Sequence, residues 1–305
     1  MTSVDRRNFL RSSLLAGAAL SLAPRPAAAS SAAAPAGASP GIIDSNVNLF
    51  RWPYRRLKYD DTAALVAKLR RHRVAEAWAG SYEALFAKDL AGVNGRLAAE
   101  CRTHGGGLLR PFGSVNLAWP DWEDDVRRCH EEHRMPGVRI FPGYQPFDLA
   151  HPELPRLLEI AAQRGLLLQI VFQMEDPRIH HPLLTLPAIG TRPLVAALKA
   201  APRAKVQLLH FSGNVQGSDL GELMALPNVA IDISRWESNG IVGKMLGTAP
   251  SPVPARVPLD RVVFGSHAPY FPLETGILKL IESPLSLEQL HAIIHRNARA
   301  LVPAA

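Results

Sequence analysis

Asn46 and Asn48 stand two residues apart in Gly41-Ile42-Ile43-Asp44-Ser45-Asn46-Val47-Asn48-Leu49-Phe50, an apolar run that turns polar at alternate positions. Residues two apart on a strand share a face, so both carboxamides aim one way and Val47 the other. Two neutral amides aimed into one space suit the holding of a carbonyl oxygen or a carboxylate. Further chemistry-bearing side chains fall at the ends of other apolar runs: Arg139, Gln169 and Gln173, His210 and Ser212, Asp232 and Ser234, Ser266 and His267, with Ser81 and Asn116. Histidine titrates near neutrality and moves protons. Arginine grips carboxylates and stabilises developing negative charge. Asn, Gln, His and Arg are costly to bury unpaired, so the set must form one hydrogen-bonded network or face a ligand.

The runs that carry these residues are 41–48, 74–80, 108–115, 137–141, 166–173, 205–211, 229–234 and 261–265. Stretches of helical period separate them. Leu65, Val66 and Leu69 share one helix face, as do Val93, Leu97 and Cys101, then Trp122, Val126 and Cys129, then Leu154, Leu157, Leu158 and Ala161. Asp60, Asp61 or Thr62 caps the first helix, Gly165 ends the fourth, and Pro193 suits the first turn of the fifth. Ser286 with Gln289 makes a capping box for one more helix, running to about Ala300. Eight rounds of strand and helix in a chain of 305 residues predict an α/β fold: a single (β/α)8 TIM barrel over residues 41–305 with an extra C-terminal helix. No Gly-rich phosphate fingerprint follows the first strand, which weighs against a dinucleotide-binding sheet. In such a barrel function sits where strands end and βα loops begin, and that is where the polar residues fall.

Hydrophobic residues make up 47% of the chain, ample for one core. Part of the formal charge of +7 lies in the first 29 residues, as Arg6, Arg7, Arg11 and Arg25 against Asp5. The longest basic cluster, Lys68 to Arg73, sits at the expected end of a helix, where cations complement the dipole. Nucleic acid is therefore not an expected partner. Cys101 and Cys129, the only cysteines, make neither a disulfide framework nor a metal-binding spacing, and leave open one bridge between them.

Asp5-Arg6-Arg7-Asn8-Phe9-Leu10-Arg11 resembles a twin-arginine export signal, followed by a weakly apolar stretch and by Ala27-Ala28-Ala29 for cleavage. The expectation is a signal over residues 1–29, a disordered Ala/Ser/Pro/Gly linker over 30–40, and a periplasmic or extracytoplasmic protein delivered by the twin-arginine machinery. No stable membrane span is expected after signal removal; homo-oligomers are left open.

Val262-Val263-Phe264-Gly265-Ser266-His267-Ala268-Pro269 resembles the last strand of the amidohydrolase-related TIM-barrel group, which reads F-G-S-D-x-P. Val206-Gln207-Leu208-Leu209-His210-Phe211-Ser212-Gly213 resembles that group's sixth strand, with support from Asn228 to Ser234 and from Ala292 to Leu301. Its metal ligands do not carry over: His-x-His of the first strand is Asn46-Val47-Asn48, the fifth-strand His is Val171, and the last-strand Asp is His267. Only His210 matches a ligand position unchanged. Carboxamides are poor transition-metal ligands. The expectation is no cofactor, or a weakly bound divalent metal, for which His210 and His267 are the remaining ligands.

The resemblance implies a hydrolase acting on a small, anionic lactone, ester or amide. His267 would be general base toward water, His210 would orient or share the proton, and Asp232 would fix one imidazole tautomer. Arg139 with Asn46 and Asn48 would hold a carbonyl oxygen or carboxylate. Arg51 and Trp52, in the loop after the first strand, and Gln173 would bind substrate, while the long connection Glu175 to Thr191, with His180 and His181, would form a lid. Two alternatives remain open: a ligand-binding barrel that has lost catalysis, and a decarboxylase of the same superfamily. His291 with His295 has the spacing of a helical zinc motif, and Cys129, His130 and His133 cluster, but the first lacks its glutamate and the second sits on an outer helix.

Overall fold

The protein is described from a computed structural model, which covers residues 41–211, 218–251 and 257–304. The expected signal, the linker and Ser212 lie outside the described residues.

All the apolar runs become strands: β1 (Ile42–Leu49), β2 (Val74–Ser81), β3 (Leu109–Pro111), β4 (Gly113–Ser114), β5 (Gly137–Ile140), β6 (Leu167–Val171), β7 (Lys205–Leu209), β8 (Val229–Asp232) and β9 (Val262–Val263). β3 and β4 are halves of the single run expected over 108–115; Phe112 interrupts them, yet its amide still donates to Ala79 O at 2.8 Å. Every pairing is parallel and follows chain order. The segment after β9 returns to β1, through Ser45 N to Phe264 O, His267 N to Asn46 O and Asn48 N to Ala268 O, each 2.9 Å. The result is a TIM-barrel-like fold of eight staves.

Strand alternation sorts the side chains into layers. Val138, Ile140, Leu168, Ile170, Val206, Leu208 and Ile231 point outward and pack against the helices, meeting the faces read from the sequence, such as Leu65, Leu97, Val126 and Leu157. Inward, Ile43, Trp78, Phe112, Leu167 and Val263 form an apolar floor closed by Ala298 and Val302. Above that floor the interior turns polar. β1 departs from strict alternation there: its register against β2 slips by one residue between Asp44 and Val47. Such a bulge turns two neighbouring residues toward one side, and both Ser45 and Asn46 reach interior partners.

The punctuation is as expected. Asp61 caps the helix Thr62–Arg71 through Ala64 N at 2.9 Å, Gly165 takes the left-handed conformation, and the Ser286–Gln289 capping box opens the last helical run. That run passes through a π turn, Ala292–Arg296. His295 Nδ1 there donates to Gly41 O at 2.9 Å, a structural tie at the closed end of the barrel. Cys101 and Cys129 are buried free thiols, so the bridge left open is not formed. Among the described residues no helix is long and apolar enough to cross a membrane.

Candidate active site

Two polar layers are stacked on the apolar floor. In the lower one, Arg139 is fully buried. Its Nε donates to Gln169 Oε1 at 2.6 Å, Nη1 to Val47 O at 3.1 Å and Asn48 Oδ1 at 2.9 Å, and Nη2 to Trp78 O at 2.9 Å. Gln169 Nε2 donates to Ser45 O at 3.0 Å and Gln207 Oε1 at 2.8 Å, and Gln207 Nε2 donates to Ser45 Oγ at 2.7 Å. Gly80 makes room for this guanidinium, since a Cβ there would clash with Nη1. Burial lowers the Arg139 pKa to about 9, so it remains a cation at neutral pH. The expectation that Arg139 grips substrate is thereby corrected: Nε, Nη1 and Nη2 all donate inside the barrel, and its contact with the upper layer is Asn48.

The upper layer is built differently. Arg139 can only donate, so the Asn48 amide must turn Oδ1 down and Nδ2 up. Asn46 Nδ2 donates to Asp232 Oδ2 at 2.6 Å and lies 3.3–3.4 Å from the ring nitrogens of His210, which turns its Oδ1 the other way. His267 Nε2 lies 3.1 Å from Met174 O. A carbonyl only accepts, so the proton is on Nε2 and Nδ1 carries a lone pair. Among the described residues Asn46 Oδ1, Asn48 Nδ2, His267 Nδ1, Tyr82 Oη and Trp52 Nε1 are buried with no hydrogen-bond partner. These five atoms, with the Asn48 amide and the Tyr82 hydroxyl facing each other, gather at and just past the strand ends, where buried polar groups ordinarily find partners.

The histidines are neighbours, their ring centroids 3.9 Å apart, and both have positive φ, 59° for His210 and 61° for His267. Non-glycine residues held there store strain of roughly 1–3 kcal/mol each and concentrate at functional sites. Their amides are pinned, His210 N to Asp232 Oδ1 at 3.1 Å and His267 N to Asn46 O at 2.9 Å. Burial holds both imidazoles well below their ordinary pKa, with the charges of Arg139 and Arg235 adding to it, so both are neutral. Burial raises Asp232 to about 6 against the hydrogen bonds it accepts. Ser234 Oγ donates to Asp232 Oδ1 at 3.1 Å and lies 3.1 Å from His210 Nδ1, so Asp232 reaches the His210 side chain through a hydroxyl.

Asp44, which sequence reasoning passed over, fixes the frame. It accepts from Ser266 N at 2.9 Å, Ser266 Oγ at 2.5 Å and Asn46 N at 3.2 Å, bracketing the segments that carry Asn46 and His267; burial raises it to about 7. Tyr82 was missed as well, although it directly follows β2, as were Glu175 and Tyr270. Tyr270 stacks on His267 with centroids 4.8 Å apart and donates to Glu175 Oε1 at 2.6 Å. Trp52 packs edge-on against Tyr82 and Tyr270 and roofs the candidate site. Arg51 does not: it is exposed, and its charge acts on Asp60. The cation of that loop at the mouth is Arg55, over Tyr270 at 4.8 Å and 3.8 Å from Glu175. Gln173 turns away toward His180 and lines an adjoining cavity of about 200 Å³ with Tyr144, Phe172 and Ile189. His180 and His181 diverge, the latter stacking on Tyr54 at 4.7 Å. Ser81 and Asn116 only cap local turns.

A parallel barrel with its polar side chains gathered at the C-terminal strand ends is the architecture of TIM-barrel enzymes. The chain belongs to the amidohydrolase family: the Amidohydro_2 family model, described as amidohydrolase, matches residues 50–304. No curated protein matches it. Similar solved structures include 2,6-dihydroxybenzoate decarboxylase from Rhizobium, 15% identical, covering 85% of this chain and 98% of that one, TM-score 0.62. Another is 5-carboxyvanillate decarboxylase from Sphingomonas paucimobilis, 13% identical, covering 88% and 100%, TM-score 0.64. A third is dihydroxybenzoic acid decarboxylase from a Polaromonas species with bound manganese and 2-nitroresorcinol, 12% identical, covering 86% and 96%, TM-score 0.64. At these identities the likeness concerns the fold.

The residues of this chain do not fit a manganese or zinc ion at the strand ends. Asn46 presents an amide NH to the Asp232 carboxylate, Asn48 presents an amide NH upward, and Val171 is a buried apolar side chain beside Leu209 and Met174. The Arg139 cation lies directly beneath. Among the described residues no group of three His, Cys, Asp or Glu side chains is placed to hold a metal.

Proposed function

We propose that this protein is a hydrolase that opens a small carboxylate-bearing ester or lactone with a water activated by His267. One observation carries the reading: His267 donates through Nε2 to Met174 O, which leaves Nδ1 as a buried, unpartnered base. A water donating one hydrogen to Nδ1 and the other to Asn46 Oδ1 has its lone pair free for a carbonyl carbon. As its oxygen attacks, Nδ1 takes the proton. The carbonyl oxygen becomes an oxyanion and accepts from Asn48 Nδ2 and Tyr82 Oη, the former strengthened by Arg139 beneath it. Collapse breaks the bond to the leaving alkoxide, which takes the proton back from the imidazolium, giving acid and alcohol. His210, neutral and tied to Asp232 through Ser234, packs against His267 and fixes its ring. Export through the twin-arginine route belongs to this reading and rests on Asp5 to Arg11.

A second reading, decarboxylation, is supported by the activities named for the similar structures. It requires an acid that delivers a proton to carbon. Asp232 is the carboxyl of the upper layer, but both its oxygens accept hydrogen bonds, from Asn46, His210 N and Ser234. Its three accepted hydrogen bonds, two on Oδ1 and one on Oδ2, engage it in holding Asn46, Ser234 and the His210 amide, which favours the hydrolase. The test incubates the mature protein with carboxylate-bearing lactones, aryl esters and hydroxybenzoates while following proton release and carbon dioxide separately. Proton release from a lactone or ester that disappears in His267→Gln supports the proposal; carbon dioxide from a hydroxybenzoate overturns it.

A further inference from the structure

The protonation pattern of His267 depends on a single main-chain atom. Among the described residues only its Nε2 has a hydrogen-bond partner, Met174 O at 3.1 Å, while Nδ1 is buried with none. A neutral imidazole carries its proton on either nitrogen, and the bond made by one decides the state of the other. With Met174 O in place the proton sits on Nε2 and Nδ1 is a base. With that oxygen displaced no other acceptor holds the proton there, and the alternative tautomer has no lone pair on Nδ1.

The sheet does not hold that oxygen. β6 ends at Val171, and the pairing with β7 closes with Phe172 N to Leu209 O at 3.0 Å. Two residues later the Met174 amide donates instead to a side chain, Tyr144 Oη, at 2.9 Å. Tyr144 is buried and stands in a cross-braced turn after β5: Gly143 N donates to Phe147 O and Gln145 N to Phe141 O, each at 2.9 Å, and Gln145 Nε2 donates to Ala84 O at 3.1 Å. Burial raises the Tyr144 pKa, so the phenol keeps its proton. Glu175, the next residue, reaches the same imidazole by another route: it accepts from Tyr270 Oη at 2.6 Å, and the Tyr270 ring stacks on His267 at 4.8 Å. Two consecutive residues at the root of the long connection thus hold His267 by its edge and by its face.

We propose that Tyr144 is a positioning residue of the reaction: by holding the Met174 amide it fixes the Met174 carbonyl, and through it the His267 tautomer that leaves Nδ1 free to take a proton. The inference deepens the hydrolase reading and rests on it for the role of His267, but the link from Tyr144 to the tautomer stands by itself. The rate scales with the fraction of molecules whose Nδ1 carries a lone pair, so a loosened carbonyl lowers kcat and leaves the groups that hold the carbonyl of the substrate, Asn48 and Tyr82, untouched. The side chain of Met174 is buried beside Val171 and Leu209, which keeps the segment in place when the Tyr144 hydroxyl is removed and limits the expected loss.

The test reads the tautomer of His267 by nitrogen-edited NMR of histidine-labelled protein, with His267→Gln to assign the signal, beside initial rates of lactone and aryl-ester hydrolysis. Wild type is expected to show one tautomer, protonated on Nε2, at neutral pH. Tyr144→Phe, which keeps the ring and removes the acceptor, is expected to mix the two tautomers and to lower kcat about tenfold with KM unchanged. A purely structural role would lower the melting temperature and leave tautomer and kcat as they are; that result overturns the inference. So does a wild-type ring protonated on Nδ1, or a change in only one of tautomer and kcat. If Tyr144→Phe does not fold, Tyr144→Met, an adaptable apolar side chain without the hydroxyl, carries the same expectations. A tautomer that shifts in Tyr144→Phe while wild type turns over no lactone or ester leaves the positioning of the ring standing and removes the hydrolase; turnover indifferent to both Tyr144 variants does the reverse.

Discussion

The two polar layers inside the barrel share a composition and differ in how completely they are paired. In the lower layer, Ser45, Arg139, Gln169 and Gln207 bond to one another and to strand carbonyls, and none is left with an unpartnered atom among the described residues. In the upper layer, Asn46, Asn48 and His267 each keep one buried atom without a partner, joined by Tyr82 and Trp52. A saturated network rigidifies a core, while an unsaturated one persists only where a ligand or water completes it. The difference marks the lower layer as scaffold and the upper one as the candidate site, with Asn48 as the joint between them.

That contrast can be broken at several points. His267→Gln keeps the shape but not the base and is expected to lower hydrolysis by about 10²–10⁴-fold with the melting temperature little changed, read from initial rates and a thermal scan. Arg139→Met leaves Gln169 Oε1, two strand carbonyls and Asn48 Oδ1 without their donor and removes the cation they solvate. It is expected to cost roughly 3–5 kcal/mol of stability in a urea titration, whereas an equally stable variant would mean that the lower layer is not scaffold. Asn48→Ala removes the upward donor and is expected to cost about 10²-fold in kcat with little change in KM.

A further effect concerns pH. Asp44 is raised to about 7, so between its unfolded value near 4 and 7 the native state holds the extra proton, and stability falls as pH rises through that window. Depressed His210 and His267 act oppositely: the unfolded state binds their protons first, so stability falls as pH drops below about 6.5. Asp44→Asn is expected to flatten the decline toward neutral pH, seen as urea midpoints that converge between acidic and neutral buffers. An unchanged slope would show that Asp44 is not the titrating group.

Most of the fold was legible because a two-residue period buried on the outer face and a helical period on the facing helices are both written in Val, Ile and Leu spacing. The residues of the candidate site were legible by position: Asn46, Asn48, Arg139, His210, Asp232 and His267 lie in the C-terminal halves of barrel strands or just past them, and hydrogen bonds or ring contacts join them. Which atoms remain free was not legible, because an amide's orientation is set by partners as distant in sequence as Arg139 and Asp232. Arg55 rather than Arg51 reaches Tyr270 and Glu175, and an irregular loop has no period to say which cation does so. Arg235 and Tyr82 lie just beyond strand ends, where alternation no longer holds. The bulge in β1, which brings Ser45 inward beside Asn46, leaves no mark in the hydrophobic pattern.

The most direct test of the central claim is the rate of lactone and aryl-ester hydrolysis by chelator-treated protein, wild type against His267→Gln, across pH 5 to 9. The account predicts turnover that survives chelation, disappears in His267→Gln, and falls away below about pH 6 as Asp232 takes up its proton. Turnover restored only by added manganese or zinc, or retained by His267→Gln, would contradict it.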